Sequence, residues 1–165
     1  MKIHTQQNHE LSHLARLIEP MDTVAMLTSD DADGALVSRP MAPLEMDAHG
    51  ALWFFTDRRS AKVEQLRALN LSFSDAERGT YVSMSGHGDL ELDREHIKRL
   101  WSAFARPWFP DGPDSEHLVL LKFTPVAADY WDAVDTKMVR MFATAVSVVA
   151  AKPIGLGEHG HLAQL

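Results

Sequence analysis

The chain has 165 residues, 23 acidic against 16 basic, a formal net charge of −7 with the histidines neutral, and 45% apolar content. That is the length of one ordinary domain with enough apolar material for its own core, so extended disorder is excluded, and the acid excess argues against a nucleic-acid backbone as partner. Cysteine is absent, which excludes disulfides, thiolate zinc sites, iron–sulfur clusters and cysteine nucleophiles. In chain order, Leu11, Leu14, Ala15 and Ile18 fall at i, i+3, i+4 and i+7 and predict a helix from about Asn8 to Glu19, with Asn8 as N-cap and Pro20 as its end. Val24 to Thr28 reads as a strand, and Asp30 to Gly34 as a tight turn. Ala35 to Leu44 is extended but carries Pro40 and Pro43, which predicts an edge strand or a bulge there. Asp47 to Gly50 turns the chain into a short aromatic strand, Ala51 to Thr56.

A second helix is expected from Ser60 to Asn70, with Ser60 as N-cap. Strands follow at 71–74 and 80–92. Arg94 to Arg106 shows an unbroken stripe of Ile97, Leu100, Trp101 and Phe104, which predicts a third helix with Trp101 in the core. The segment Arg106 to Pro113 is too rich in proline and glycine for regular structure. His117 to Thr124 is an apolar strand that continues past Pro125 to Asp132. Met138 to Phe142 then reads as a strand and Ala143 to Ala151 as a small-residue helix. The expectation is one α+β domain over residues 1–152 built on a small antiparallel barrel, followed by a flexible tail over 153–165. No apolar run approaches the ~20 residues of a membrane span. The start, MKIHTQQNHE, lacks the apolar core of a secretory signal, and a cytoplasmic location is expected.

Two motifs match by letter only. His9-Glu10-Leu11-Ser12-His13 spells H-E-x-x-H, yet the extended zinc-protease form fails at Arg16 and Glu19, and the three polar residues suit the solvated face of an amphipathic helix. Gly155 to Gly160 spells G-x-G-x-x-G, but too few residues follow it to supply the helix that holds a pyrophosphate. No metal site is expected.

Arg39 and Lys62 carry more. Arg39 sits mid-strand with Val37 and Met41 as same-face neighbours, where a charge is costly unless something anionic meets it. Lys62 lies in the first turn of the expected helix, where the dipole disfavours a cation. A phosphate there would reverse the penalty, with the Ser60 hydroxyl and free backbone N–H groups as further donors. Spacing alone favours the plainer reading, a solvated lysine and a carboxylate-paired arginine.

The order Ser38-Arg39-Pro40-Met41, then Leu52-Trp53-Phe54-Phe55-Thr56-Asp57, then Ser60-Ala61-Lys62, resembles the FMN-binding split-barrel superfamily, which includes pyridoxamine 5′-phosphate oxidase. Tyr81 to Gly86, Trp108 to Pro113 and Tyr130-Trp131-Asp132 are similar to its small bacterial general stress proteins. The resemblance covers about residues 11–151. It implies a six- to seven-stranded antiparallel split β-barrel with short flanking helices that forms a homodimer, with two flavin sites shared across the subunit interface. It also implies FMN held at its phosphate by Arg39, Lys62 and Ser60. Ser38, Pro40, Met41, Phe54, Phe55 and Thr56 would run beside the flavin through backbone groups, and Trp131 would reach the ring from the partner subunit. FAD replaces FMN if the phosphate pocket is open at its outer edge.

The sequence departs from the oxidase pattern twice. Ser60-Ala61-Lys62 stands where the oxidase has Ser-Arg-Lys, and Lys137-Met138-Val139 stands where the oxidase has the Arg-x-His that holds its pyridine substrate. Efficient oxidation of pyridoxamine phosphate is therefore not expected. Two function classes follow, a low-specificity flavin-dependent oxidoreductase and a non-catalytic flavin-binding sensor or interaction protein of the stress response, with a non-flavin interaction module as the third.

Overall fold

The computed structural model describes residues 1–21, 24–60, 65–133, 158–163 and 165. The expected strand at 138–142, the helix at 143–151, Ala61, Lys62 and Lys137 to Val139 lie outside the described residues. Helix α1 spans His9–Ile18. The Asn8 carboxamide caps it by accepting the Leu11 N–H at 2.8 Å, and the stripe Leu11, Leu14, Ala15, Leu17 and Ile18 is buried. Burying each large apolar side chain of that stripe contributes about 1.5–3 kcal/mol, which holds the helix on the sheet. Among the described residues no helix is long and apolar enough to cross a membrane.

Among the described residues nine strands make one mixed sheet: β1 (Lys2–Ile3), β2 (Ala25–Asp30), β3 (Leu36–Met41), β4 (Glu45–Met46), β5 (Leu52–Asp57), β6 (Leu69–Asp75), β7 (Thr80–Glu91), β8 (Leu118–Asp132) and β9 (Glu158–Ala163). They are ordered β1-β4-β5-β8-β7-β6-β2-β3, with β9 also on β8. The β1–β4 pair is parallel and the others are antiparallel. The sequence predicts a six- to seven-stranded antiparallel split barrel, and the described sheet differs in strand number and in its one parallel pair. The path is open, since no described pairing joins β1 to β3. The two extra short strands arise where His4 and Lys2 donate backbone N–H groups to Met46 and Leu44.

β3 is an edge strand, as Pro40 requires: Pro40 stands opposite Met26 and needs no donor on its outer edge. Between β2 and β3 the Asp31 carboxylate accepts the N–H groups of Asp33 and Ala35 at 2.9 and 2.8 Å. Gly34 closes that turn at φ 81°, a conformation side chains disfavour. β8 is central, with β5 and β9 end to end along one of its edges. The β7–β8 register shifts between Ser85 and Gly86, opposite Pro125, which has no N–H for the ladder.

Alternation on β5 and β8 feeds two cores. Leu52, Phe54, Leu121 and Phe123 join the main cluster under α1. Trp53, Leu118 and Leu120 join a second one with Ile97 of helix α2 (Arg94–Leu100). The expected helix to Arg106 stops early because Trp101 takes an extended backbone and turns its ring to Phe55 at 5.8 Å. Trp101 is half-buried against the second core, but Phe104 falls off the stripe and is 88% exposed. The expected helix over 60–70 is not helical in its described part. Residues 65–68 are irregular and β6 begins at Leu69, because Leu69 to Ser72 pair with β2. The expected loose tail is, over Glu158–Ala163, a paired strand.

Candidate functional site

Alternation along β3 divides Ser38-Arg39-Pro40-Met41 between the two sheet faces. Ser38 and Pro40 are exposed on the outer face, Arg39 is half-buried on the inner one, and Met41 is buried beyond it. Arg39 Nη1 donates to the Ser29 hydroxyl at 2.9 Å, and Ser29 is itself 1% exposed. On the other face Ser38 and Thr28 share a hydroxyl hydrogen bond of 2.7 Å. Thr28 and Ser29 both line an open cleft of about 480 Å³, whose other polar walls include Arg67, Asn70, Ser85 and His87. The Arg39 guanidinium thus donates to a neutral hydroxyl and forms no ion pair among the described residues, a setting that suits an anion.

On β5, Phe54 is fully buried in the main core, so its side chain serves packing. Phe55 is half-buried against Trp101 and Phe109. Thr56 is buried, and its hydroxyl has no hydrogen-bond partner among the described residues. A buried hydroxyl left so is costly and calls for a partner from outside the described residues. The Trp53 carbonyl accepts Leu44 N–H at 2.9 Å. Alternation turns the Phe55 backbone toward the same edge, which β4 covers only at Leu52 and Trp53.

Beyond β5 the chain turns on Asp57. Its carboxylate accepts the Arg59 N–H at 2.8 Å and the guanidinium at 3.0 and 2.7 Å. Its carbonyl accepts the Ser60 N–H at 3.0 Å. Hydrogen bonding from the Arg59 side chain and then its backbone holds the Asp57 carboxyl well below the usual carboxylate range. The guanidinium just before Ser60 is therefore spent on the turn, and the turn fixes where Ser60 sits. Trp131 lies elsewhere, 46% exposed on the outer face of β8. It is stacked on His159 of β9 at 4.9 Å and 12°.

The structure therefore brings Arg39 to Ser29 and Ser38 to Thr28, and aligns Phe55, Thr56 and Ser60 along β5 and its turn. No hydrogen bond or ion pair among the described residues links Arg39 to Phe55, Thr56 or Trp131. Sequence reasoning missed Ser29, Arg67, Asp57 with Arg59, and His159. The signal for Ser29 was the Asp31 to Gly34 turn, which sets the hairpin register and hence the diagonal neighbour of Arg39. Among the described residues no three His, Asp or Glu side chains form a metal-binding group. His13 instead packs its ring against Tyr130 at 4.9 Å.

The family model described as pyridoxamine 5′-phosphate oxidase like matches residues 9–154. The chain is 28% identical over 142 residues to Protein bli-3 of Neurospora crassa, covering 78% of this chain and 67% of that one. Its fold is similar to that of a protein described as a general stress protein 26 from Jannaschia sp. CCS1, with a TM-score of 0.69 and 25% identity over 92% of this chain and 99% of the other. It is also similar to the general stress FMN/FAD binding protein of Xanthomonas citri, with a TM-score of 0.63 and 27% identity over 76% and 90% of the two chains.

Proposed function

The chain belongs to the pyridoxamine 5′-phosphate oxidase-like family, and on that premise we propose that it is a flavin-binding protein that takes FMN. The observation that carries this reading is Arg39, a guanidinium on an otherwise apolar strand face whose described partner is the neutral Ser29 hydroxyl. The donor set fits the group. A phosphate dianion suits a planar guanidinium, and the Thr56 hydroxyl, without a partner among the described residues, suits a polar ligand edge.

In this reading Arg39 grips the phosphate, and the Asp57–Arg59 turn presents Ser60 as a second donor. Lys62, outside the described residues, adds the second cation. The open backbone edge at Phe55 and the Thr56 hydroxyl orient the flavin, and Met41 and Phe54 back it from the core. Trp131 meets the isoalloxazine from a second copy of the chain. The exposed apolar side chains Met26, Leu36, Tyr81 and Trp131 support a homodimer built over that face. The bound flavin supplies the redox chemistry, and the protein binds, orients and shields it. The activity we assign is low-specificity electron transfer from a nicotinamide donor, with no dedicated pyridine-phosphate substrate.

The visible spectrum of the purified protein before and after adding FMN tests the binding. Expected is a flavin spectrum, native or on reconstitution, that Arg39→Ala weakens. A colourless protein that ignores added FMN overturns the reading. Anaerobic mixing with NADH or NADPH then tests the activity: prompt bleaching of the flavin supports turnover. A flavin that stays oxidised overturns the oxidoreductase assignment in favour of a flavin-binding sensor.

A further inference from the structure

The C-terminal strand is locked in register from inside the sheet. Gly160 lies over Tyr130 so closely that a Cβ there would come within 2.5 Å of the ring and hydroxyl. The Tyr130 hydroxyl in turn donates to Glu158 Oε1 at 2.9 Å. A slip of one residue would put a side chain where only hydrogen fits, and would reverse which residues face outward.

That lock decides what stands on the outer face. His161 comes opposite Asp129, with 2.7 Å between His161 Nδ1 and Asp129 Oδ1. His159 comes opposite Trp131, its imidazole nearly parallel to the indole at 4.9 Å and 12°. Tyr81 pairs with Trp131 from the opposite strand, so one cross-strand row carries Tyr81, Trp131 and His159. Trp131 remains 46% exposed and Tyr81 43% exposed. An indole capped on one face by a parallel ring is confined to one tilt, and its uncapped surface is then set to stack a further planar ring.

Resting on the flavin reading above, we infer that His159 is a positioning residue of the flavin site. It holds Trp131 in the tilt that meets the isoalloxazine ring. The ligand chemistry it serves is a planar heteroaromatic ring, not a phosphate. The strand that brings it lies in the tail, where sequence alone declines a phosphate-binding motif.

Comparing FMN with riboflavin separates ring contacts from phosphate contacts. Dissociation constants for both are measured by flavin fluorescence on the full chain and on H159A, H159F and R39A. Expected is that H159A weakens FMN and riboflavin by the same factor, about 10-fold for one lost stacking contact. It should also shift the visible bands of the bound flavin, and H159F, which keeps a ring against the indole, should restore both. R39A should weaken FMN alone. The inference is overturned if H159A leaves both affinities and the bands unchanged, if it weakens FMN alone, or if H159F fails to restore what H159A loses. If the unsubstituted chain binds neither flavin, the flavin reading fails, and the role of His159 fails with it. If the unsubstituted chain binds FMN and H159A behaves like it, only the role of His159 fails.

Discussion

Arg39 and Ser29 meet diagonally across the first hairpin, with Nη1 2.9 Å from Oγ, because the register sets Leu27 opposite Arg39 and Val37 opposite Ser29. A hydroxyl orients a guanidinium without neutralising it, so the pair reads as a held cation, not as an internal salt bridge.

Removing that cation should cost binding more than folding. Arg39→Ala is expected to weaken FMN about 10- to 100-fold, in line with ~1.5–3 kcal/mol for hydrogen bonds to a charged group. Arg39→Lys should recover only part of this, since an ammonium lacks the planar fork. Ser29→Ala should show a smaller loss, on the order of 3-fold, by loosening the guanidinium. Fluorescence titration of the three variants checks the order.

Phe54 separates packing from ligand contact. It is fully buried in the main core, so Phe54→Ala should destabilise the fold by about 3–5 kcal/mol, read as a lower urea midpoint. Phe54→Leu should fold and keep its flavin affinity. A flavin loss in Phe54→Leu without a stability loss would place the side chain in the site instead.

Gly160→Ala should displace β9, because the new methyl meets the Tyr130 ring. Limited proteolysis should then cut the C-terminal strand at concentrations that spare the unsubstituted protein. Tyr130→Phe removes only the hydrogen bond to Glu158 and should cost about 0.5–1.5 kcal/mol. The Glu158 hydrogen bond, then burial, holds the Tyr130 phenol above its ordinary ionisation range. Glu158→Gln should therefore lower the pH at which the tyrosinate absorbance appears.

The Asp57–Arg59 pair has a pH signature of known sign. The carboxyl is held below its ordinary 3.8 in the folded chain, so its contribution is present above that value and is lost as pH falls through the folded one. Arg59→Ala should therefore differ from the parent in Tm near neutrality and converge with it in acid. The difference should also shrink in high salt, because the pair is solvent-exposed. A carboxyl titration followed by NMR should return Asp57 to the ordinary range in that variant.

Much of the fold is legible where local chemistry and tertiary demand agree. The α1 stripe and its Asn8 cap can be read directly, because a cap and a periodic apolar face stabilise the same helix. Pro40 marks β3 as an edge because proline lacks the donor an inner strand must supply. Ser60 to Asn70 and Trp101 to Arg106 read as helix for their spacing, yet pairing with β2 claims Leu69 onward and the Phe55 ring claims Trp101. Isolated helix turns are worth little, and long-range burial outweighs them.

The sequence by itself determined the family resemblance, the absence of thiol chemistry, the amphipathic first helix and the place of Arg39 as a charge on an apolar strand face. Those follow from residue types and short-range spacing, which the chain carries whether or not it is folded. Only the tertiary structure decided that Ser29 orients Arg39, that Phe54 is core, that Asp57 uses up Arg59, and that the tail returns as a strand to set His159 against Trp131. Each of these depends on strand register between residues distant in sequence. Register is fixed by the summed burial and pairing of whole strands, and no local pattern encodes it.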